Sequence, residues 1–193
     1  MQELRDQLSQ GKVIGFATDT VPALATLPEH GEQIYSLKRR LPTKPLILLG
    51  ADLEQLKPYV QGWKREWEDL AHDGWPGPLT LILPASLLVP EAVHRGQETV
   101  GIRVPAIGRE WLMEIGPLAT TSANFSGQPP VSSKAEFQAL FPEVLVFPGP
   151  YEQATGSPST IVLWKEDRWV LLREGRFSLP QSLKESWGSI NEV

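Results

Sequence analysis

The stretch Lys12-Val13-Ile14-Gly15-Phe16-Ala17-Thr18-Asp19-Thr20 passes from an apolar segment directly into three polar residues. The apolar part is too short for a helix and reads as a buried strand. The polar part then sits at a strand end, where open α/β sheets gather ligand-binding groups. Ahead of it, residues 1–10 read as a helix with Met1, Leu4 and Leu8 on one face, stopped by Gly11. Further helices are expected over residues 30–40, from Leu53 behind a capping Asp52, over 63–73, over 108–115, and from a Ser133-Lys134-Ala135-Glu136 capping box toward Leu140. Strands are expected at 46–49, 79–83, 100–104, 118–121, 144–147, 159–163 and 168–172. This alternation describes an α/β sheet, mixed in direction because some links are too short for a helical crossover.

The composition narrows the class. A chain of 193 residues suits one domain and can bury a core without disulfides or metals. Its 18 prolines, roughly twice the usual share, argue against an all-helical bundle. The absence of cysteine removes disulfides, thiolate nucleophiles and cysteine zinc sites together. His30, His72 and His94 lie far apart without ligand spacing, so no metal site is expected. No apolar run approaches the roughly 18 residues of a membrane helix, and no apolar segment follows Met1, so a cytoplasmic protein without a membrane association is expected. Net charge is −5, whereas a dedicated duplex binder is usually basic. Neither a Walker-type phosphate loop nor a Gly-x-Ser-x-Gly elbow occurs.

The polar strand junctions carry the chemistry, and each has a plainer reading beside the functional one. Thr18, Asp19 and Thr20 can grip a small polar substrate, or simply close a turn on their own backbone. Lys38, Arg39, Arg40 and Lys44 cluster at a helix end interrupted by Pro42 and Pro45. They form either a polyphosphate clamp or a charge group complementing the helix dipole. On a regular helix Lys38 and Arg40 diverge, and they converge only where the helix unwinds. The loop Thr120-Thr121-Ser122-Ala123-Asn124-Phe125-Ser126-Gly127 offers hydroxyls and backbone N–H groups to an anion, or is an ordinary polar turn. Arg103 interrupts an apolar strand and suits a carboxylate or phosphate if its face lines a cleft. Ser157 precedes a strand, and Arg173 ends the next one.

Taken in order, these segments resemble the YrdC-like family of threonylcarbamoyl-adenylate synthases. Ala17-Thr18-Asp19-Thr20-Val21-Pro22-Ala23-Leu24 stands where the family has Pro-Thr-Glu/Asp-Thr-x-Tyr-Gly-Leu, and Lys38-Arg39-Arg40-Leu41-Pro42-Thr43-Lys44-Pro45-Leu46 where it has Lys-x-Arg-Pro-x-x-Lys-Pro-Leu. Trp75-Pro76-Gly77-Pro78-Leu79-Thr80, Gly101-Ile102-Arg103-Val104-Pro105, Thr121-Ser122-Ala123-Asn124-Phe125-Ser126-Gly127, Gly156-Ser157-Pro158-Ser159-Thr160-Ile161 and Leu172-Arg173-Glu174-Gly175 resemble the later motifs. Pro22-Ala23 replaces Tyr-Gly and Leu41 replaces a proline, so a first-motif loop of different shape is expected.

The resemblance implies a twisted, open mixed α/β sheet with flanking helices around a large concave cleft. It implies a catalytic domain over residues 1–177 and a polar C-terminal tail over 178–193. The implied reaction joins L-threonine, bicarbonate and ATP to give threonylcarbamoyl-adenylate and pyrophosphate, with Mg²⁺ arriving on ATP. Other tRNA-modification proteins then pass the group to a tRNA adenosine. Lys38, Arg40, Ser122 and Asn124 take the catalytic positions; Lys44, Arg103, Ser157 and Arg173 complete the ATP site; Thr18 and Thr20 line the threonine side. The competing expectation is an altered paralogue that acts as an RNA-binding protein; with net charge −5 and one dense basic run, only weak RNA binding is expected, and tight binding unaffected by ATP would favour that paralogue.

Overall fold

Gly15 shows why the opening segment must be a strand packed against a helix. A Cβ on it would stand 2.3 Å from the Phe137 ring, so only glycine lets the two elements meet. The computed structural model describes residues 2–147, 149–151, 154, 156–181 and 183. Along the chain these form α1 (Gln2–Ser9), β1 (Ile14–Phe16), β2 (Ala23–Thr26), α2 (Glu32–Lys38), β3 (Ile47–Leu49), α3 (Leu53–Leu56), α4 (Arg65–Gly74), β4 (Leu79–Pro84) and α5 (Glu91–His94). They continue with β5 (Thr99–Arg103), α6 (Arg109–Ile115), β6 (Leu118–Ser122), α7 (Lys134–Leu140), β7 (Leu145–Val146), β8 (Thr160–Lys165) and β9 (Arg168–Arg173).

The described strands make one nine-stranded sheet in the order β7-β1-β2-β6-β3-β5-β4-β8-β9. It is mixed, as expected: β1/β7, β3/β5 and β4/β8 run parallel and the other neighbours antiparallel. No strand is expected from the sequence at Ala23–Thr26, because Ala-Leu-Ala-Thr carries little β preference. It becomes one because β1 and β6 flank it, and all four residues are buried. Helix α5 is likewise not announced by its four residues.

The expected caps are present. Asp52 accepts a hydrogen bond from Gln55 N–H at 2.9 Å, and Ser133 Oγ accepts one from Glu136 N–H at 3.2 Å. The Glu136 carboxylate reaches one residue beyond the expected box and accepts from Ser132 N–H at 2.7 Å. Helix α4 buries Trp67, Leu70 and Ala71. Trp67 meets Trp63 and Trp164 edge-on at 5.9 and 5.8 Å, and Trp164 meets Trp169 at 5.1 Å. Most of the expected tail lies outside the described residues; Leu179 is buried in the main core and Leu183 packs against it.

Gly15→Ala is expected to destabilise the fold by about 1–3 kcal/mol through overpacking, read from urea unfolding midpoints. Adding Phe137→Leu should recover part of that loss. Additive losses in the double variant would show that the Phe137 ring is not what constrains position 15.

Candidate active site

Three groups of polar side chains gather at the strand junctions. The first is built around Arg103, at the end of β5 and 4% exposed. Its Nη2 donates to Asp19 Oδ1 at 2.7 Å, its Nη1 to Thr20 Oγ1 at 2.8 Å and its Nε to the Gly77 carbonyl at 2.9 Å. Asp19 Oδ1 also accepts from Ala106 N–H at 2.9 Å. Strands β1 and β5 are separated by β2, β6 and β3, so the 18–20 loop crosses the sheet to reach Arg103. Burial pushes the Arg103 pKa down, and the Asp19 carboxylate opposes that shift. Arg103 is expected from the sequence to face an anionic ligand. Here its three nitrogens all hold protein oxygens, and it fixes the shape of the Thr18–Thr20 loop. Within that loop Thr18 Oγ1 donates to Val21 O at 2.7 Å and lies 3.1 Å from Thr20 Oγ1.

The second group joins Lys38, Ser122 and Asn124. Helix α2 ends at Lys38 because Arg39 takes a left-handed conformation, φ 52°. The helix therefore unwinds where convergence of Lys38 and Arg40 requires it, yet the two side chains take different partners. Lys38, 1% exposed, donates to the Ser122 carbonyl and to Asn124 Oδ1 at 3.2 Å. Ser122 Oγ donates to the same Oδ1 at 2.5 Å. The amide is oriented from its other end, since Nδ2 donates to Phe125 O at 2.8 Å and Gln128 O at 2.7 Å. Burial, with the charge of Arg40 as a smaller cause, lowers the Lys38 pKa from its ordinary 10.5 to about 7.

Arg40 turns instead to the following loop, donating from Nε to Lys44 O at 3.2 Å and from Nη2 to Pro45 O at 2.9 Å. Lys44 is exposed. The third group is Arg173, whose Nε and Nη2 donate to Ser159 O at 3.1 and 2.9 Å; Ser159 Oγ lies 2.9 Å from Thr80 Oγ1. Ser157 is exposed and is not drawn into this group, while Ser159, two residues on in the same segment, is.

Backbone bonds connect the groups. Ala123 N–H donates to Pro22 O at 2.8 Å, joining the first loop to the Ser122–Asn124 turn, and Gly156 N–H donates to Thr20 O at 3.0 Å. Arg176 Nη1 reaches Asp19 O at 3.5 Å. The sequence does not single out Thr80, Ser159 or Arg176 as site residues, and it reads Asp19 as a substrate-gripping candidate, not as the partner of Arg103. Thr80 and Ser159 do lie within quoted motifs, whereas Arg176 lies just beyond the last one. At the altered positions, Ala23 sits in regular β2 pairing opposite Phe16 and Ser122, without the positive φ that would demand glycine. Among the described residues no group of three or more acidic or histidine side chains is placed to hold a metal, and no helix is long and apolar enough to cross a membrane.

Fold and site together define a mixed-sheet α/β protein whose buried cations, hydroxyls and amide converge at one set of strand junctions. The chain belongs to the Sua5/YciO/YrdC family, whose model, described by the words telomere recombination, matches residues 6–175. It is 36% identical over 182 residues to the threonylcarbamoyl-AMP synthase of Pyrococcus abyssi, covering 90% of this chain and 53% of that protein. It thus spans about half the length of that relative. The threonylcarbamoyl-AMP synthase of Vibrio parahaemolyticus is 35% identical over 153 residues, or 75% of this chain and 83% of that one. Among solved structures, P. abyssi Sua5 complexed with L-threonine superimposes with a TM-score of 0.83 at 33% identity, over 96% of this chain and 56% of that one. E. coli YciO shares the fold, with a TM-score of 0.79 at 24% identity over 90% of this chain and 87% of that one.

The lowered Lys38 pKa has a consequence for stability. Between pH 7 and 10.5 the unfolded lysine holds a proton that the folded one has lost, so stability rises with pH across that window. Urea midpoints measured from pH 6.5 to 9.5 should climb more steeply in the wild type than in Lys38→Met. Parallel profiles would show that Lys38 keeps its ordinary pKa.

Proposed function

We propose that this chain forms L-threonylcarbamoyladenylate from L-threonine, bicarbonate and ATP, releasing pyrophosphate. The observation that carries the reading is the convergence of the Lys38 ammonium, the Ser122 hydroxyl and the Asn124 amide beside the Thr18–Thr20 loop. Relatives named threonylcarbamoyl-AMP synthase support it, as does the similar Sua5 structure complexed with L-threonine.

The chemistry needs no protein nucleophile. Threonine's amine attacks bicarbonate and gives a carbamate with loss of water. A carbamate oxygen then attacks the α-phosphate of ATP, and the bond to the pyrophosphate leaving group breaks. Such a displacement is accelerated by positioning and by neutralising charge on the phosphoryl oxygens. Lys38 and Lys44 supply charge on the polyphosphate side, and Arg40 holds the loop that carries Lys44. Ser122 and Asn124 face the α-phosphate and the carbamate. Ser157 and Arg173 flank the nucleotide, Thr18 and Thr20 the amino acid. Arg103 acts through Thr20 and Asp19, as their support. A polyphosphate next to Lys38 restores its charge, so ATP binding draws in a proton above pH 7. Mg²⁺ enters with the nucleotide, held by phosphates and water. The product serves as donor to partner proteins that modify a tRNA adenosine.

Pyrophosphate should be released only when ATP, threonine and bicarbonate are all present. Lys38→Ala should slow turnover by up to about a hundredfold, the equivalent of one lost charge-assisted bond at the transition state. Arg39→Ala, on an exposed side chain, should stay within about twofold of wild type. Release from ATP with every amino acid alike would sink threonine specificity. Absence of turnover with any of them would favour an RNA-binding protein.

A further inference from the structure

The loop over residues 41–45 is held by its carbonyl oxygens. Pro42 O accepts from Arg95 Nε at 2.7 Å. Lys44 O accepts from Tyr35 OH at 2.8 Å as well as from Arg40, which also holds Pro45 O. Two of these three side chains come from α2 and its end, but Arg95 comes from the far end of α5, outside every motif described above. Its guanidinium lies 4.5 Å from the centre of the Tyr35 ring and pairs with Glu32 on the first turn of α2. Arg95 itself adopts φ 55° as the cap of α5, and its side chain is 17% exposed. The neighbouring backbone bond from Leu46 N–H to Val93 O, 2.9 Å, ties α5 to the same loop.

We infer that Arg95 is a positioning residue for the polyphosphate side of the site: with Tyr35 it braces the 41–45 loop, so that Lys44 is presented to the nucleotide. The inference rests on the proposed function. Every polar group that the brace engages on the loop is a carbonyl, while the Lys44 ammonium has no partner among the described residues. The loop is thus ordered by its acceptors and leaves its cation for a ligand. A planar guanidinium suits the task, because it can lie on the Tyr35 ring, pair with Glu32 and donate to Pro42 at once. Lysine has no such fork. Without the brace, ordering the loop falls on the nucleotide and subtracts from its affinity.

The test compares wild type with Arg95→Gln, Arg95→Gly, Arg95→Lys and Tyr35→Phe. Glycine tolerates the positive φ of position 95, so Arg95→Gly removes the side chain while sparing the cap. ATP Kd by calorimetry and KM for ATP should rise about five- to thirtyfold in Arg95→Gln and Arg95→Gly, the equivalent of one or two lost hydrogen bonds. Threonine KM and kcat should stay within about twofold. Arg95→Lys should fall between, and Tyr35→Phe should add less to Arg95→Gln than it costs alone. Hydrogen exchange over residues 41–46 should quicken in the Arg95 variants. Unchanged ATP affinity in Arg95→Gly, or equal rises for ATP and threonine, would overturn the inference. A wild type that neither binds nor uses ATP would defeat the proposed function instead; exchange over 41–46 then still judges the brace, and unchanged exchange in Arg95→Gln refutes it.

Discussion

The contact between the Arg103 guanidinium and the Thr18–Thr20 loop is the constraint on which the site depends. A cation this deeply buried is tolerable only when oxygens take over from water, and Asp19, Thr20 and Gly77 do so. Removing one partner of such a pair leaves a charge in a place that cannot solvate it, which commonly costs about 3–5 kcal/mol. The pair therefore fixes where the loop may lie. From the loop the order passes through Pro22 to Ala123, and so to the turn that receives Lys38. The Thr18–Thr20 loop and the Lys38–Ser122–Asn124 group are in this way parts of one hydrogen-bonded frame.

Within that frame the two lysines of the second motif are held in opposite conditions. Lys38 is enclosed, its donors spent on a carbonyl, an amide oxygen and, at 3.5 Å, the Thr121 hydroxyl; Lys44 stands exposed on a held loop. An enclosed ammonium with a lowered pKa responds strongly to an incoming negative charge, because little water screens it. An exposed one attracts at longer range but contributes less once bound. The motif thus holds one enclosed and one exposed ammonium on residues only six apart in number.

Much of this was legible in the sequence, and the limits are physical. The Lys38–Ser122–Asn124 group could be anticipated because each member lies in a compact motif at a strand or helix end. The sheet's mixed character followed from link lengths. The Asp19–Arg103 pair could not be read, because nothing local to either residue states that a loop crosses three strands to meet it. For the same reason Arg103 was expected to face a ligand. Strand β2 was hidden because its alanines carry no periodic signal and its flanking strands define it. Ser159 was passed over for Ser157 because alternate residues of a strand entrance are chemically alike, and only the structure shows which one meets Arg173. Arg95 lies in a segment with no motif, and its role depends on Tyr35 and Pro42 arriving from elsewhere.

The pairing of early strands with late ones also sets an order of events during synthesis. Strand β1 needs Leu145 and Val146 on one side, Thr20 needs Gly156, and Asp19 needs Arg176. These are long loops to close, and residues beyond 140 close them, a topology that folds slowly compared with local helical hairpins. A nascent chain still held at the ribosome beyond residue 140 can already join Lys38 to Asn124 and Asp19 to Arg103, but it lacks the β7, Gly156 and Arg173 contacts. The site is thus assembled in stages, and a protein truncated before Arg173 retains the residues of the Lys38 and Arg103 groups while losing the partner of Ser159.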